Sequence, residues 1–438
     1  MKKVLITTLG CKVNQYESAA FKTGFEDAGL TVVVGNDQAD IVVINTCAVT
    51  GSAGAQSRQA IHQALRQNPD AEIIISGCYA EIAAAELALD KELQGRDYTL
   101  IGNSEKDQLV RQSLMASTGT SKILLGDIAR ATEICRLPVR RFGDRVRAYL
   151  RIQDGCESFC SYCIVPYTRG PSRSLPVAEV IHQAKIFAGV GHKEIVLTGI
   201  HIGNYGKDLP GKPTLVALLD TLTLATPEIA YRISSLEPLE IDTALLTLMQ
   251  ERNNIQPHLH IPLQSGHDEI LARMNRRYST EQFREVVALC KKYLPDAAIG
   301  IDILVGFPGE IDAHFAESKA FLQSLDFTYL HVFPYSIRPG TKAAGFDKQV
   351  TKKIKEERAA SLRQLSDAKK SAFCQSQLGR TWPVLVEGRR DGNGMLKGFT
   401  ANYIAVTFAG PDKLQHAVVQ VKLLELQGNS VLGEINEI

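Results

Sequence analysis

The chain has 438 residues, with 49 Lys and Arg against 48 Asp and Glu, so its formal charge is +1. Hydrophobic residues make up 45% and charged residues 22%, which is typical of a globular protein and excludes a wholly disordered chain. No apolar run approaches the ~18 residues that a membrane helix needs, and the apolar stretch after Met1 is too short for a signal peptide. We therefore expect a cytoplasmic protein without membrane contact, with about three domains at roughly 150 residues each.

The N-terminal part of the sequence predicts an α/β domain with a parallel sheet at residues 1–135. Aliphatic runs at 4–6, 41–44 and 73–75 are continuous rather than alternating, which is typical of strands covered on both faces. The amphipathic stretches that separate these runs predict helices over 14–28, 52–67 and 80–93.

The central part, residues 142–345, alternates strand-like and helical patterns. The candidate strands are 148–152, 194–198, 231–234, 258–262, 298–305 and 329–334. Six strand-helix units are two short of a complete eightfold barrel, so we predict a partial (β/α)6 barrel with an open side.

The C-terminal part, residues 376–438, has a different pattern. Five short strand-like runs are separated by turn sequences such as Asp-Gly-Asn-Gly at 391–394. About sixty residues of this kind predict a small antiparallel β-barrel. The overall fold class is therefore α/β with a C-terminal all-β module.

The strongest chemical signal is a group of three cysteines, Cys156, Cys160 and Cys163, which we call the loop triad. Three thiolates on one tight loop can hold three irons of a four-iron cluster and leave the fourth iron open for a ligand. The alternative is structural zinc, which usually has four ligands in paired Cys-x2-Cys elements. The chain has no second such pair, so the spacing favours the iron-sulfur cluster.

A second group, Cys11, Cys47 and Cys78, is spread along the N-terminal domain, and we call it the strand-end triad. Each cysteine follows a predicted strand, and the carboxyl ends of parallel strands meet at one edge of a sheet. A single cysteine at such a place is more typical of a small buried hydrophobic residue. Three at equivalent positions predict a second cluster site.

These residues carry a resemblance to a known family. The loop triad, with Tyr162 before its last cysteine, resembles the signature of the radical S-adenosylmethionine (SAM) superfamily. A further cysteine triad in a preceding α/β domain resembles the methylthiotransferase family, and the C-terminal barrel resembles the TRAM domain, an RNA-binding module. Together these resemblances cover nearly the whole chain.

Three segments are most similar to the branch that modifies N6-threonylcarbamoyladenosine in tRNA. They are Thr-Leu-Gly-Cys-Lys-Val-Asn-Gln-Tyr-Glu-Ser at 8–18, His-Ile-Pro-Leu-Gln-Ser-Gly at 260–266 and Met-Asn-Arg-Arg-Tyr at 274–278. At the first cysteine, the isopentenyladenosine branch usually shows Gly-Cys-Gln-Met-Asn and the ribosomal-protein branch Gly-Cys-x-Lys-Asn. Lys12-Val13-Asn14 matches neither.

The resemblance implies two 4Fe-4S clusters and two SAM molecules. One SAM would methylate sulfur held on the strand-end cluster. The other, on the loop cluster, would give a radical that abstracts hydrogen from carbon 2 of the adenine at position 37. The implied partners are the tRNA anticodon loop, an electron donor and a sulfur source. An aromatic C–H bond offers no acidic proton, so we expect the clusters, not side-chain acids and bases, to perform the chemistry.

Positions after successive barrel strands are candidates for binding SAM, together with the aromatic residue of the loop. They are Tyr162, Thr198, Gly199, Ser234, Ser235, Glu237, Gln264, Gly306 and Phe307. Basic and aromatic residues near the domain junctions are candidates for holding RNA phosphates and an exposed base. They are Arg140, Arg141, Arg145, Arg147, Arg276, Arg277, Tyr278, Arg380, Arg389, Arg390 and Lys397.

Two alternatives to this hypothesis remain open at the level of sequence. One is a methylthiotransferase of this family that acts on another acceptor, either isopentenyladenosine in tRNA or an aspartate of a ribosomal protein. A different class of protein would be a non-catalytic RNA-binding protein whose cysteines hold structural zinc.

Overall fold

The computed structural model describes residues 2–35, 38–115, 121–143, 145–428 and 430–436. It confirms the predicted fold class: a parallel α/β sheet, a partial barrel of parallel strands and a closed five-stranded barrel follow one another along the chain. No helix in these described segments is long and apolar enough to cross a membrane.

The N-terminal domain is a six-stranded parallel sheet in the order β2-β1-β3-β4-β5-β6. Its strands are β1 (Lys3–Thr8), β2 (Thr31–Val33), β3 (Ile41–Thr46), β4 (Glu72–Gly77), β5 (Tyr98–Ile101) and β6 (Lys122–Leu124). Its helices are α1 (Lys12–Asp27), α2 (Gly51–Gln67), α3 (Cys78–Ala88) and α4 (Leu109–Leu114). The sequence pattern predicted β1, β3 and β4 and missed the three short strands β2, β5 and β6.

Both faces of this sheet are covered, which explains the continuous aliphatic runs. Ile41 and Val43 of β3 pack with Phe21 of α1 in a core that continues into the central barrel. Val42 and Ile44 point the other way and pack in a second core with α2 and α3. Every residue of β3 is therefore buried.

The central domain contains the six parallel strands that the sequence predicted, arranged as two arcs, β11-β10-β7 and β12-β13-β14. A parallel bridge between Tyr231 and Ile255 joins the arcs. The strands are β7 (Arg147–Arg151), β10 (Glu194–Thr198), β11 (Ala230–Ile233), β12 (His258–Gln264), β13 (Ala298–Val305) and β14 (Tyr329–Pro334), with a short antiparallel pair β8 (Gln153–Asp154) and β9 (Arg173–Ser174). Within the described residues β7 and β14 are not paired with each other, so the barrel is open there.

Helices connect these strands and lead out of the barrel. They are α5 (Val165–Arg169), α6 (Val177–Gly189), α7 (Leu215–Ala225), α8 (Thr243–Glu251), α9 (Asp268–Arg273), α10 (Thr280–Tyr293), α11 (Asp312–Ser324) and α12 (Lys352–Ser376). The side chain of Thr351 caps α12 by accepting from the backbone N–H of Ile354.

The C-terminal domain is a closed barrel in the order β15-β16-β17-β19-β18. Its strands are β15 (Thr381–Val386), β16 (Leu396–Thr400), β17 (Ala405–Phe408), β18 (Val418–Gln427) and β19 (Ser430–Ile435). Four pairings are antiparallel, as predicted, but β17 pairs with β19 in parallel and this pair closes the barrel.

Candidate metal centres

The strand-end triad gathers at the carboxyl edge of the N-terminal sheet. Thr46 at the end of β3 and Gly77 at the end of β4 are register partners, and Cys47 and Cys78 are the next residues along the chain. Adjacent strands lie about 4.8 Å apart, so these two cysteines start from neighbouring positions. The sheet register therefore brings together two cysteines that are 31 residues apart in sequence.

A close backbone approach adds the third cysteine. Gly10, with a φ of +90°, lies so near Cys47 that a Cβ at this position would be 2.6 Å from the Sγ atom of Cys47. Only glycine fits such a contact and this left-handed backbone. The side chain of Asn14 connects the segments before Cys11 and Cys47. Its Nδ2 donates to the carbonyl oxygens of Leu9 at 2.7 Å and Thr46 at 2.9 Å. Cys11 is consequently held beside Cys47.

Cys47 and Cys78 are buried, and Cys11 is exposed. Burial raises the pKa of the Cys47 thiol to about 11, and the neighbouring Cys78 and Cys11 contribute to this shift. A coordinating metal removes the thiol proton. The donor set of three sulfurs at one sheet edge therefore fits a metal cluster.

The loop triad is shaped by a tight return of the chain. Gly155 has a φ of +78°, and a Cβ there would lie 1.9 Å from the carbonyl oxygen of Pro171. The backbone N–H of Cys156 donates to the carbonyl oxygen of Gly170 at 2.9 Å. Further along the loop, Phe159 has a φ of +44°. These conformations turn the chain so that the three cysteines share one short loop.

Asn275 holds this loop from outside. Its Nδ2 donates to the carbonyl oxygens of Ser158 at 3.2 Å and Phe159 at 3.1 Å, and its own backbone is left-handed with a φ of +59°. The backbone N–H of Ala343 donates to the carbonyl oxygen of Ser161 at 2.8 Å. The loop is thus bonded to segments on both sides of it.

Two sulfurs of the loop triad make contacts with basic side chains. Arg276 donates from Nη1 to the Sγ of Cys160 at 3.3 Å and is paired with Glu237. A ring nitrogen of His201 lies 3.6 Å from the Sγ of Cys156. Burial opposes ionisation of Cys156, but the hydrogen bonds from His201 and Ser158 outweigh it, so its pKa is lowered. This environment favours a thiolate ligand.

A cavity of about 380 Å³ opens beside these contacts. Cys160, His201, Glu237, Glu240 and Arg276 are among its lining residues. Most of its lining residues are charged or polar, and the cavity reaches one sulfur of the loop triad. It is therefore the place where a small charged ligand of the cluster would fit.

The spacing of the sulfurs argues against zinc. Each Zn–S bond is about 2.3 Å, so two thiolates on one zinc ion lie no more than about 4.6 Å apart. Over the described part of the chain, only His260, Asp302 and His331 bring three ligand atoms within 4.8 Å of one another. Neither cysteine triad is this compact. A cluster in which each thiolate binds a different iron does not need such spacing.

The predicted SAM residues fall into two groups. Glu237 lines the cavity beside Cys160, as a ligand contact requires. Phe307 does not, because it is fully buried in an apolar cluster with Met274 and Tyr335. Tyr162 packs against the same cluster. Phe307 therefore packs in the apolar cluster next to the loop, and its contact with SAM stays a prediction.

The remaining candidates lie at turns after the barrel strands. Thr198 ends β10 and is buried, and a Cβ on Gly199 would lie 2.8 Å from the carbonyl oxygen of Gln153. Ser234 and Ser235 follow β11, and Ser235 is exposed. Two positions have left-handed backbones: Gln264, with a φ of +67°, and Gly306, with a φ of +71°. The structure does not bring these residues into the cavity that Cys160 lines, whose lining residues are at other positions.

Several predicted RNA-binding residues face solvent. The exposed ones are Arg140, Arg141, Arg145, Arg277, Arg380 and Arg389. Arg145, Arg389 and the half-buried Lys397 line a cleft of about 610 Å³ between the central and C-terminal barrels. Arg390 joins two loops of the C-terminal barrel, because it donates to the carbonyl oxygens of Gly394 at 2.7 Å and Gly410 at 2.8 Å.

Three of the RNA candidates are not free surface groups. Arg147 is largely buried and pairs with Glu194 at 2.7 Å and Glu387 at 3.2 Å. Arg276 is occupied at the loop triad, and Tyr278 is buried with its hydroxyl donating to the carbonyl oxygen of Pro262 at 2.8 Å. Their burial and pairing leave little of these side chains for RNA, although Arg147 lines the same cleft as Arg145 and Arg389.

Sequence reasoning missed four residues that shape the two sites: Asn14, Arg169, His201 and Asn275. Asn14 lies three residues after Cys11 and Arg169 six residues after Cys163, so proximity in sequence was an available signal. His201 and Asn275 reach the loop triad from distant turns. No spacing pattern points to them.

Comparisons with known proteins agree with this architecture. A model of "Uncharacterized protein family UPF0004" matches residues 3–96, and a model of the radical SAM superfamily matches residues 150–322. The chain is 38% identical to threonylcarbamoyladenosine tRNA methylthiotransferase MtaB of Bacillus subtilis, over 97% of this chain and 94% of that protein. It is 33% identical to tRNA-2-methylthio-N(6)-dimethylallyladenosine synthase of Fusobacterium nucleatum, over 99% of this chain and 100% of that protein.

A solved structure shares the fold. The radical SAM methyltransferase TsrM from Kitasatospora setae, with tryptophan substrate and a SAM analogue bound, superimposes with a TM-score of 0.57. The match covers 78% of this chain and 75% of that one at 15% identity. At this identity the likeness concerns architecture alone.

Proposed function

The chain belongs to the radical SAM methylthiotransferase family, and from this premise we propose that it methylthiolates carbon 2 of N6-threonylcarbamoyladenosine at position 37 of tRNA. As a member of this family it is a tRNA-modifying transferase that uses SAM and 4Fe-4S chemistry. The acceptor and the presence of two clusters are the parts that we propose.

One observation carries the choice of acceptor. The 38% identity to the Bacillus subtilis protein, whose name specifies threonylcarbamoyladenosine, extends over 97% of the chain. Identity to the relative named for dimethylallyladenosine is lower, at 33%. The sequence after Cys11, Lys12-Val13-Asn14, also resembles the branch that modifies N6-threonylcarbamoyladenosine.

The charge of Lys12 supports the same acceptor. A threonylcarbamoyl group carries a carboxylate that is ionised at neutral pH, whereas a dimethylallyl group is uncharged. Lys12 directly follows Cys11, is exposed, and makes no ion pair with any residue that the structure describes. An ammonium without an ion-pair partner, on the residue that follows Cys11, fits a charged acceptor and gives an uncharged one no partner.

The carboxylates that face Lys12 from the barrel already have partners. Asp302 accepts from His260 at 2.8 Å, and Glu194 pairs with Arg232 at 3.0 Å. Desolvation and the charge of Arg232 lower the pKa of Lys12, and both acids oppose this shift without bonding to the lysine. The lysine is therefore available for a substrate carboxylate.

Two clusters follow from the two triads. Cys156, Cys160 and Cys163 would hold the cluster that binds SAM, with Glu237 and Arg276 lining the adjoining cavity. The strand-end triad would hold the second cluster. When bound, these groups supply the one-electron chemistry that a C–H bond without an acidic proton requires. The side chains around them orient ligands and stabilise thiolate charge.

Mass spectrometry of tRNA nucleosides tests the acceptor. A deletion strain should lose 2-methylthio-N6-threonylcarbamoyladenosine and accumulate its unmethylthiolated parent. The wild-type gene should restore the product, and Cys160→Ala, as the matched control, should not. Lys12→Gln should restore it only partly, because a charge-assisted hydrogen bond contributes about 1.5–3 kcal/mol.

The opposite outcomes are equally clear. If the product persists in a strain with no second enzyme for it, the acceptor is wrong. Loss of the methylthio derivative of isopentenyladenosine instead would assign the chain to the other tRNA acceptor. A purified protein with zinc and little iron would favour the non-catalytic RNA-binding alternative.

A further inference from the structure

Arg169 lies between the two cysteine triads. It is the last residue of α5, which follows the loop triad directly, and its side chain is completely buried. The guanidinium crosses from the central domain into the N-terminal domain. No step of the proposed function uses it.

The guanidinium is bonded at all three nitrogens. Its Nε donates to the Sγ of Cys78 at 3.3 Å. Its Nη1 donates to Glu17 at 2.6 Å and to Asp154 at 3.2 Å, and its Nη2 donates to the Oδ1 of Asn14 at 2.6 Å. The same Asn14 fastens the turns before Cys11 and Cys47. One side chain thus connects all three turns of the strand-end triad.

Asp154 links these contacts to the other triad. It lies two residues before Cys156, and its carboxylate also accepts from the backbone N–H of Gly155 at 2.9 Å. Asn103 makes a parallel connection, because its Nδ2 donates to the carbonyl oxygen of Thr168 at 2.6 Å. The base of the loop triad and the strand-end triad therefore share one buried network.

The network contains more cations than carboxylates. Arg169, Lys106, Arg151 and Arg173 are at most 4% exposed. The carboxylates that face them are the buried Glu17 and Asp154 and the half-buried Glu81. Four positive charges thus face three negative ones. Besides the carboxylates, the side chain of Arg169 donates to the neutral amide oxygen of Asn14 and to the sulfur of Cys78. Buried charge of one sign needs a counter-charge, which a cluster bound through Cys78 would supply.

We propose that Arg169 is a positioning residue that sets the geometry and the charge balance of the strand-end cluster. The planar guanidinium of Arg169 fixes the position of Cys78 relative to Asn14 and Glu17, because its donors have a rigid geometry. The single ammonium group of a lysine does not have this geometry. Hydrogen bonds to cluster sulfurs and nearby positive charge stabilise the more negative, reduced state and so raise the reduction potential. The inference rests on the two-cluster part of the proposed function.

A redox titration of the strand-end cluster alone tests this role. The parent is the full chain with Cys156, Cys160 and Cys163 replaced by alanine, so that one cluster remains. Into this parent we place Arg169→Met, which removes the charge and the donors, and Arg169→Lys, which keeps the charge. Arg358→Met is the matched control, because Arg358 is a buried arginine paired with Glu310 at 2.6 Å and has no contact with either triad.

We expect the midpoint potential to shift to a more negative value in Arg169→Met and by a smaller amount in Arg169→Lys. The control should match the parent. Loss of cluster iron from a folded Arg169→Met protein, with iron retained in the control, would support the positioning role as well. If Arg169→Met does not fold, the midpoint potential of Arg169→Gln is compared with that of the parent instead.

An unchanged potential in a fully loaded Arg169→Met protein would overturn the inference. That failure differs from a failure of the proposed function. A parent that binds no iron at Cys11, Cys47 and Cys78 would refute the second cluster itself. If the parent binds its cluster and Arg169→Met has the same midpoint potential as the parent, only the role of Arg169 is refuted.

Discussion

The loop triad occupies eight consecutive residues, 156–163, whereas the strand-end triad spreads over residues 11–78. Turn conformations at Gly155 and Phe159 shape the first, and the register of β1, β3 and β4 assembles the second. A local site needs only its loop and the segments that brace it. A site built from three strand ends exists only when the sheet is folded, so folding and cluster binding are coupled there.

The sulfurs of the two triads also differ in their surroundings. Arg276 and His201 reach the loop triad from the barrel and line an open cavity with it. Arg169 reaches the strand-end triad from within a closed, buried network. An open cavity suits exchange of a ligand such as SAM, and the buried network holds the strand-end triad from one side while Cys11 stays exposed. The following variants test this division of roles, from the largest expected effect to the smallest.

Replacing a loop cysteine should remove all activity. Cys160→Ala deletes one of three ligands of the SAM-binding cluster, so we expect no reductive SAM cleavage and no modified nucleoside. Release of 5′-deoxyadenosine under anaerobic reducing conditions measures this. Cys290→Ala, at a buried cysteine of α10 outside both triads, should keep the cleavage activity. Equal cleavage by Cys160→Ala and wild type would contradict the division of roles.

Replacing a strand-end cysteine should separate the two half-reactions. Cys47→Ala leaves the loop triad intact, so we expect SAM cleavage to continue while methylthio transfer to tRNA stops. Both products are measured in one assay, by chromatography of 5′-deoxyadenosine and mass spectrometry of the nucleosides. Methylthio transfer at the wild-type rate by Cys47→Ala would remove the strand-end triad from the mechanism.

Two glycine variants should each disable one triad. Gly155→Ala places a Cβ against the backbone oxygen of Pro171, and Gly10→Ala places one against the sulfur of Cys47. Each purified variant should lose about half of the iron, and only Gly155→Ala should lose SAM cleavage. Gly189→Ala is the control, because a Cβ there meets nothing within 4 Å. Full iron content in both variants would show that the close approaches are not needed.

The smallest effect should come from outside both triads. Arg389 lines the basic cleft between the two barrels, so Arg389→Ala should weaken tRNA binding severalfold and lower the salt dependence of binding by about one ionic contact. SAM cleavage without tRNA should not change. Arg136→Ala, an exposed arginine paired with Glu179 and outside this cleft, is the control. Equal tRNA affinity for the two variants would exclude the cleft as an RNA surface.

The sequence predicted the features that depend on local pattern. Continuous aliphatic runs marked β1, β3 and β4, because strands covered on both faces have no polar side. The same logic placed Cys11, Cys47 and Cys78 at one sheet edge. The short strands β2, β5 and β6 lack such runs and were missed. The parallel closure of the C-terminal barrel by β17 and β19 depends on strand pairing, which side-chain periodicity does not encode.

Some candidate site residues are buried or paired where the sequence suggested an accessible side chain, and this difference has a physical cause as well. Arg147 and Arg276 look like surface cations in sequence, but each has glutamate partners that only the tertiary fold supplies. Glu387, for example, is 240 residues from Arg147 and belongs to another domain. Phe307 follows a barrel strand, as a SAM contact would, yet its large apolar side chain is buried under the loop. A position at a strand end does not fix where a side chain points.

Metal analysis of the anaerobically purified protein tests the central claim most directly, because it counts the clusters. Wild-type protein should contain about eight irons and matching sulfide per chain, as two four-iron clusters require. Replacing the three cysteines of either triad by alanine should leave about four irons. A wild-type value of about four, unchanged when Cys11, Cys47 and Cys78 are replaced, would contradict the account, and so would zinc in place of iron.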